Sequence, residues 1–446
     1  MSNPITDRSA AGTPTRRSSA GYVLALLFLG NLLNFYDRQL PAVLLEQIKA
    51  DFGLDDTAVG ILASAFVLVA AIAGVPLGRL ADRVARTSVA GVGLVVWSLF
   101  TAMGGVFSNF WLFLVSRVGV GIGESSYAPA AGSLIADLYP TEKRARATAI
   151  YMLGFPIGLL LAFVTAGAIA VAFGSWQAPF LIAAVPGLVV ALLMLRVREP
   201  RRGAADPMRD GAAPVKERGA LLAVFKVRSI YGLILAFAGY NFAAYSIGTF
   251  LIPVLQRYYG LDLITAGLVG GVVIGLTGLL GLVIGGPLLD RAARRSPGAR
   301  VWLSGILLIA AAAASLVGLS ARQGALWQLV VFLGLGYLLG IIYLAASAPA
   351  VADVVEPEQR STALGMLYAC GYLLGGAGGP ILVGVLSDSL ARGSSLPAEA
   401  AAAQGLQAAM MILVPIAFTV AGVGMLVSSR SVLRDRGAML NREVAR

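Results

Sequence analysis

Two apolar stretches of the sequence each contain an acid and a base. Asp37 and Arg38 are adjacent within residues 22–45, and Arg117 and Glu124 lie in a second apolar run. An ionisable side chain at bilayer depth costs roughly 2.5 to 3.5 kcal/mol, so it normally faces a bundle interior or a water-filled cavity. Guanidinium groups bind phosphates and carboxylates. Because the chain has no histidine, a proton relay here must use carboxylates, and the four residues predict a buried site for anion binding and proton exchange.

Helical spacing groups these residues on shared faces. Asn34 and Arg38 are four residues apart with Asp37 beside them, and Arg117 and Glu124 are seven apart. At 1.5 Å per residue, Asp37 and Glu124 lie roughly 15 and 20 Å from the outer ends of their helices. We therefore expect the five residues to meet, with two acid-base pairs. A buried ion-pair network that only fixes packing is the alternative, but it is a costly way to pack helices in lipid.

The elements that must hold these residues follow from composition. Of 446 residues, 58% are hydrophobic and 13% are charged, with a mean hydropathy of +0.82. Globular proteins carry about 25% charged residues, whereas apolar segments of about 20 residues, enough to cross a bilayer, recur along this chain. We predict an all-α polytopic membrane protein. Its twelve spans, numbered 1 to 12 below, lie near residues 21–45, 57–79, 87–108, 111–137, 145–172, 177–195, 229–256, 264–289, 301–320, 326–354, 361–387 and 402–429.

The net charge of +11 could indicate nucleic-acid binding, but its distribution favours a membrane orientation. If the N-terminus is cytoplasmic, the outer loops contain only Lys49, Arg257, Arg322 and Arg392 among the basic residues. The positive-inside rule then predicts that both termini are cytoplasmic. We expect no nucleic-acid partner. The predicted organisation is a disordered cytoplasmic N-tail (1–20), an N-terminal six-helix bundle (21–195), a cytoplasmic linker (196–228), a C-terminal six-helix bundle (229–429) and a cytoplasmic C-tail (430–446).

The two halves repeat one another. The segment from Gly78 to Arg86 has the spacing of the segment from Gly286 to Arg294, 208 positions later, and Asp137 is echoed by Asp353, 216 positions later. Such a repeat predicts two bundles related by an axis along the membrane normal. We predict a cytoplasmic gate in which a loop acid caps a neighbouring helix and Arg83 and Arg86 pair with Asp137. Its residues are Gly78, Asp82, Arg83, Arg86, Asp137, Asp290 and Arg291.

These residues carry a resemblance to the Major Facilitator Superfamily. The segment 78–86 resembles that superfamily's signature between spans 2 and 3, with Ala85 where the signature usually has Gly. The stretches NFYDR (34–38), GIGESSY (121–127) and LIADLYP (134–140) further resemble the Spinster branch. The resemblance implies transport of lysophospholipids or sphingosine phosphate. Organic-anion proton symporters of the same superfamily share the charged residues alone.

The second half has no acid or base at mid-depth. The offset of 216 maps Arg117 to Leu333 and Glu124 to Gly340. A cavity with charge on one wall and aromatic surface on the other suits an amphiphile with a charged head and an apolar tail. We expect the tail or the cavity wall to involve Tyr240, Asn241, Tyr245, Tyr343, Tyr368 and Tyr372.

The predicted function is proton-coupled secondary transport of an anionic or zwitterionic amphiphile by alternating access. The alternatives are an organic-anion/proton symporter for a small carboxylate, a drug or metabolite exporter of the same fold, and a non-transporting receptor, for which we would expect an appended folded domain. An enzyme is not expected, because the glycines at 119, 121 and 123 lie within a spanning helix and not after a strand, and no P-loop is present. We predict proton coupling by Asp37 and Glu124 and headgroup binding by Arg38, Arg117, Asn34 and Tyr127.

The expected partners are the lipid bilayer, protons and a small amphiphilic substrate. Cys370 is the single cysteine and gives no sign of a metal site. We expect a monomer in the bacterial inner membrane, with no cofactor and no metal.

Overall fold

The computed structural model describes residues 19–201, 224–225, 227–356 and 359–444. The predicted N-tail, apart from its last two residues, and most of the predicted linker lie outside the described residues, as do Glu358 and the side chain of Asp82. We call the side on which Ala20 begins span 1 the inner side, which the charge pattern predicts to be cytoplasmic, and the opposite side the outer side.

The regular structure in the described part of the chain is helical, as the sequence predicts. Eleven helical stretches there are long and apolar enough to cross a membrane. Spans 1 to 6 are Ala20–Val43, Asp56–Arg83, Arg86–Gly104, Phe110–Ser125 with Tyr127–Leu138, Thr141–Met152 with Gly154–Phe173, and Ala178–Leu195; the short helix Leu45–Phe52 follows span 1. Spans 7 to 12 are Arg228–Arg257, Leu263–Gly270 with Thr277–Arg295, Pro297–Leu319, Leu326–Ile342 with Leu344–Ala352, Arg360–Cys370 with Gly378–Arg392, and Ala398–Val444.

Several spans differ in detail from the predicted ones. Span 4 is interrupted at Ser126, so neither of its helices reaches a full span alone. Spans 8 and 11 contain π-helical segments, Gly271–Leu276 and Gly371–Ala377. The helix of span 12 continues through most of the predicted C-tail, because Val432 and Met439, seven residues apart, keep one of its faces buried.

The sequence repeat is visible in the turns at the outer side. Gly53 and Gly260 both have φ in the left-handed region, at 63° and 69°, which glycine adopts at no steric cost. Each begins a Gly-Leu-Asp sequence that leads into the next span. The carboxylate of Asp55 accepts a hydrogen bond from the N–H of Ala58 at 2.8 Å, and that of Asp262 accepts one from the N–H of Thr265 at 3.1 Å. The two N-caps start spans 2 and 8 in the same way.

Helix packing repeats as well. In the first half, span 1 packs on spans 5 and 6, and span 4 packs on spans 2 and 3. In the second half, span 7 packs on spans 11 and 12, and span 10 packs on spans 8 and 9. The halves meet where span 2 packs on span 11 and span 5 packs on span 8. Span 1, which carries Asp37 and Arg38, also contacts span 7 across this interface.

Candidate functional site

A cavity of about 500 Å³ lies between the two halves. Side chains from spans 1, 2, 4 and 5 form one wall, and side chains from spans 7, 8, 10 and 11 form the other. This volume is typical of a small-molecule site. The predicted site residues on its walls are Asp37, Arg38, Arg117, Tyr240, Asn241, Tyr245, Tyr368 and Tyr372.

Arg38 joins the cavity to a buried acid. Its Nη2 donates to Oε2 of Glu124 at 3.0 Å and to Oδ1 of Asn34 at 3.4 Å. The Arg38 side chain is 27% exposed, whereas that of Glu124 is 1% exposed. The guanidinium also lies over the rings of Phe35 and Phe66, at 4.9 and 4.7 Å from their centroids, which favours a cation at this position. Arg38 therefore exposes part of its guanidinium to the cavity, and the buried carboxylate of Glu124 pairs with it on the side away from the cavity.

Asp37 and Arg117 do not form the second acid-base pair that we expected. Among the described residues, no ion pair within 4.0 Å joins them. One oxygen of Asp37 accepts from Oγ1 of Thr101 at 3.3 Å, and its other oxygen is buried without a hydrogen-bond partner among those residues. Arg117 donates to the carbonyl of Phe100 at 3.3 Å, and its guanidinium lies over the ring of Phe180 at 5.0 Å. Both charges line the cavity and remain incompletely paired.

Local sequence explains how these side chains come together. Asn34 and Arg38 share a face because they are one helical turn apart. Pro41 has no N–H to donate to the carbonyl of Asp37, so span 1 loses one backbone hydrogen bond beside the cavity. A side chain at Gly123 would meet the backbone N of Trp97 at 2.7 Å. Glycine there lets span 3 approach span 4 closely next to Glu124.

The opposite wall carries aromatic and amide side chains. Tyr368 and Tyr372 stack at 6.4 Å, and Tyr372 makes an edge contact with Tyr245 at 6.3 Å. The amide of Asn241 donates to the carbonyl of Phe237 at 2.7 Å. This wall also includes Tyr337, which the sequence analysis missed. The sequence repeat could have identified Tyr337, because the offset of 216 maps it onto residue 121, which lies between Arg117 and Glu124 on the same helix face.

Besides Glu124, three predicted site residues lie behind the cavity walls. The hydroxyl of Tyr127 donates to the carbonyls of Leu26 and Leu27 at 3.1 Å, and its ring packs against Trp97. Tyr343 is fully buried behind Tyr240, with ring centroids 5.5 Å apart. Asn34 contacts Arg38 but does not line the cavity. The structure thus gives Tyr127 and Tyr343 packing positions, because local backbone and ring contacts occupy them, and we leave both out of the proposed binding site.

Comparison with known proteins identifies the family. The sequence model of the Major Facilitator Superfamily matches residues 27–380. The chain belongs to that superfamily. An MFS-type efflux pump of Mycolicibacterium smegmatis is 33% identical over 433 residues, which cover 96% of each chain. Protein spinster homolog 1 of Homo sapiens is 30% identical over 83% of this chain and 73% of that protein.

Solved structures agree with this assignment. A bacterial homolog of the human lysosomal transporter Spinster, in an inward-facing and unoccupied conformation, superimposes with a TM-score of 0.84 at 27% identity, covering 95% of this chain and 99% of that one. The predicted Spinster branch, the twelve-span fold and a transporter in place of an enzyme are thereby confirmed. The chain is an integral membrane protein.

On the inner side, the predicted gate of this Spinster-like chain is partly assembled. Arg86 is 2% exposed and pairs with Asp137, as predicted, and also with Glu199 at 2.7 Å. Arg83 is exposed. A side chain at Gly78 would lie 3.9 Å from the ring of Pro129. In the second half Asp290 and Arg291 are exposed, and the pair that corresponds to Arg86 and Asp137 is formed by Arg300 and Asp353.

Glu199 was missed by the sequence analysis because it lies beyond span 6, far from Arg86 in the chain. Its carboxylate accepts from the N–H and the hydroxyl of Thr87, both at 2.9 Å, at the start of span 3. Burial raises the pKa of Glu199, but hydrogen bonds from Thr87 and Arg86 outweigh it and leave the pKa below its ordinary value. Glu199 therefore caps span 3 and ties the end of span 6 to it.

A second polar network joins the two halves at the outer side. Arg257 at the end of span 7 forms ion pairs with Asp56 at 2.9 Å and Glu46 at 2.6 Å. Lys49 contacts Asp56 at 2.6 Å, and Asp388 of span 11 accepts from the N–H groups of Asp56 and Thr57 at the start of span 2. These contacts hold spans 2, 7 and 11 together at their outer ends, so the outer side of the cavity is closed.

Proposed function

We propose that this chain is a proton-coupled secondary transporter that moves an anionic or zwitterionic amphiphile, of the lysophospholipid or sphingosine-phosphate type, by alternating access. The observation that carries this proposal is the asymmetry of the cavity. Asp37, Arg38 and Arg117 line the wall from the first half, whereas the described residues that line the other wall include no Asp, Glu, Lys or Arg. That wall consists of aromatic side chains, aliphatic side chains and a few uncharged polar side chains such as Asn241 and Ser347. A ligand that satisfies both walls needs a charged head and an apolar tail.

The headgroup would bind Arg38 and Arg117. Both arginines line the cavity, and each guanidinium lies over aromatic rings that support a cation without occupying its N–H donors. Arginine binds phosphate and carboxylate groups through two parallel hydrogen bonds. The tail would lie along the side formed by Tyr240, Tyr245 and Tyr372.

Proton coupling would follow from competition for Arg38. The substrate anion and Glu124 are alternative partners for the same guanidinium. A carboxylate that loses its cationic partner in a low dielectric takes up a proton more readily. Binding of the anion would therefore favour protonation of Glu124, and deprotonation would favour release of the anion. Asp37, with one oxygen already unpartnered among the described residues, is the second proton acceptor that we propose.

Other members of this family support the proposed substrate class and favour a direction of transport. Sphingosine-1-phosphate transporter SPNS2 of Danio rerio is 28% identical over 82% of this chain, which favours a phosphorylated amphiphile. The similarity to an efflux pump over nearly the whole chain favours export of metabolites or drugs as the second candidate. We propose the bacterial inner membrane as the location, with cytoplasmic termini and a monomeric protein.

Uptake into proteoliposomes tests the proposal. Purified protein is reconstituted, and radiolabelled lysophospholipids, sphingosine phosphate and short organic acids are offered with and without a pH gradient. We expect uptake of at least one amphiphile, faster with the gradient, and no uptake of acids without an apolar tail. Uptake of short acids alone would favour the small-carboxylate symporter. Amphiphile uptake that does not respond to the gradient would overturn proton coupling.

A further inference from the structure

The outward surface of span 12 ends in two arginines at the inner side. Val423 and Val427 are 46% and 61% exposed, and exposed apolar side chains on a spanning helix face the lipid. Arg430 and Arg434 are also exposed and continue the same spacing of three and four residues. The two guanidinium groups therefore stand at the inner end of a lipid-facing stripe.

Span 9 packs against span 12 beside this stripe, and we call the lipid-facing surface between the two helices the groove. A side chain at Gly298 would lie 3.3 Å from Leu433 and 3.4 Å from the carbonyl of Ser429, so the two helices are in close contact. Trp302, one turn after Gly298, is 52% exposed. By helical geometry it lies on the same flank of this contact as Arg430. Tryptophan is enriched at the level of lipid headgroups.

The groove has a positive charge that nearby acids do not cancel. Arg294 and Arg295 are exposed and end span 8, just before Gly298. Asp435 is the acid nearest in sequence to Arg434, and its carboxylate accepts from the N–H and hydroxyl of Ser229, at 2.9 and 2.6 Å. That carboxylate is therefore turned toward span 7.

We propose that this groove is a binding site for an anionic phospholipid of the inner-side leaflet. Arg430 and Arg434 bind its phosphate, Trp302 lies at its glycerol backbone, and its acyl chains run along Val423 and Val427. Charge complementarity selects the occupant, since basic sites between spanning helices recognise anionic headgroups. Because the arginines continue the lipid-facing stripe, a lipid whose phosphate binds them can place its acyl chains along that stripe. The site is separate from the transport cavity and independent of the proposed substrate.

Quenching of Trp302 fluorescence by brominated lipids tests this site. The protein, in micelles of a neutral detergent, is titrated with phosphatidylglycerol brominated on its acyl chains, or with phosphatidylcholine brominated in the same way. The chain has five tryptophans, so the Trp302→Phe variant gives the signal of the other four. We expect Trp302 to be quenched at a lower mole fraction of phosphatidylglycerol than of phosphatidylcholine.

Charge variants distinguish a specific lipid site from general electrostatic attraction between the protein and anionic lipids. In Arg430→Gln/Arg434→Gln, half-quenching by phosphatidylglycerol should need about fivefold more lipid for each arginine removed, while quenching by phosphatidylcholine stays unchanged and shows that the groove is intact. Lys143→Gln/Arg146→Gln removes two exposed charges from the inner side of the first half and should have no effect. Equal quenching of the wild type by both lipids, or an equal loss in the two double variants, would overturn the proposal.

Discussion

Arg38 connects two environments within one side chain. Its guanidinium is accessible from the cavity, yet one of its nitrogens contacts a carboxylate that is 1% exposed. Breaking a buried pair by removing one partner costs about 3 to 5 kcal/mol, because the other charge is left uncompensated. A ligand anion that takes the place of Glu124 avoids that cost for Arg38, and a proton avoids it for Glu124. This exchange is the simplest way in which a single ion pair couples two ligands.

Glu124→Gln should weaken the pH dependence while sparing binding. Glutamine resembles the protonated acid, so Arg38 remains available to the substrate at every pH. We expect binding of the amphiphile at least as tight as in the wild type, with a smaller change between pH 5 and pH 8 than in the wild type, because only Asp37 remains as a proton acceptor. Uptake driven by a pH gradient should fall by at least about tenfold, equivalent to 1.4 kcal/mol. Binding is measured by thermal shift or scintillation proximity, and gradient-driven uptake at the wild-type rate would contradict the mechanism.

Tyr127→Phe should separate packing from ligand binding. The variant removes a hydroxyl that donates to the carbonyls of Leu26 and Leu27 and leaves the ring against Trp97. We expect a loss of about 1 kcal/mol in stability, seen as a lower unfolding temperature in detergent. Affinity for the amphiphile should stay within about twofold of the wild type, since the changed group is not on the cavity wall. A large loss of affinity with unchanged stability would restore Tyr127 to the binding site.

Part of the site could be predicted from single residues. Asn34, Asp37, Arg38 and Glu124 were predictable because charge in an apolar run is costly and helical spacing fixes which side chains share a face. Tyr127 also satisfies that spacing, but its hydroxyl reaches the neighbouring backbone, which spacing does not reveal. The predicted ion pair between Asp37 and Arg117 is not formed for the same reason: helical spacing does not give the distance between side chains on different helices. Two residues on facing helices can share a depth and still differ by the few ångströms that separate an ion pair from a longer-range attraction.

At the scale of elements, the spans were predictable and their interruptions were not. Hydropathy identifies a spanning segment because every backbone group in lipid must be satisfied within a helix. The break at Ser126 and the π-helical segments of spans 8 and 11 lie beside glycines that neighbouring helices approach closely. Leu160 of span 5, for example, lies 3.1 Å from where a side chain at Gly275 would begin. The sequence shows glycines at these places but does not show which helix approaches them.

The cap on span 3 gives a prediction at this scale. In Glu199→Gln the charged acceptor for Thr87 and Arg86 is lost, and we expect a loss of about 1 kcal/mol at neutral pH. Because the folded-state pKa of Glu199 lies below its unfolded value, its stabilising effect is present above about pH 4.3 and is lost as the pH falls through the folded pKa. The difference in unfolding temperature between variant and wild type should therefore shrink under acid conditions.

Glu142→Gln is the matched control for that prediction. Glu142 is an exposed acid on the same side of the molecule, and its removal should change the unfolding temperature little at any pH. A difference for Glu199→Gln that stays constant down to pH 3.5 would show that the carboxylate charge does not stabilise span 3.

At the scale of the whole molecule, the outer network was beyond the reach of sequence reasoning. It joins Glu46, Lys49 and Asp56 to Arg257 and Asp388, which are about 200 to 330 positions further along the chain. Each residue alone is an ordinary loop charge near a membrane surface. Their convergence depends on the packing of span 2 on span 11, and the repeat predicts two similar halves without specifying which charges meet between them. The network nevertheless lies at the end of the cavity where spans 2, 7 and 11 come together.

Arg257→Gln should open the outer side. The variant removes both ion pairs of Arg257, so Asp56, whose side chain is 2% exposed, keeps Lys49 as a cationic partner and the hydroxyl of Ser387 as a donor. Loss of one of its two cationic partners costs part of the about 3 to 5 kcal/mol of a fully uncompensated buried charge, and separation of the halves lets water reach Asp56 and relieves that cost. We expect the population that is open at the outer side to rise by at least about tenfold. Spin labels at Ala50 and Ser395, both exposed on that side, would report it as a longer distance in a Cys370→Ser background.

Two further variants decide whether the closed state depends on this charge balance. Arg322→Gln removes an exposed outer arginine and should leave the distance distribution unchanged. Asp56→Asn combined with Arg257→Gln removes the buried charge together with one of its two cationic partners, so the closed population should recover toward the wild type, because a neutral amide costs less to bury than a carboxylate that has lost a cationic partner. If Arg257→Gln leaves the distances unchanged, or if the double variant opens the outer side further, closure depends on the apolar packing of spans 2 and 11 and not on the ion pairs.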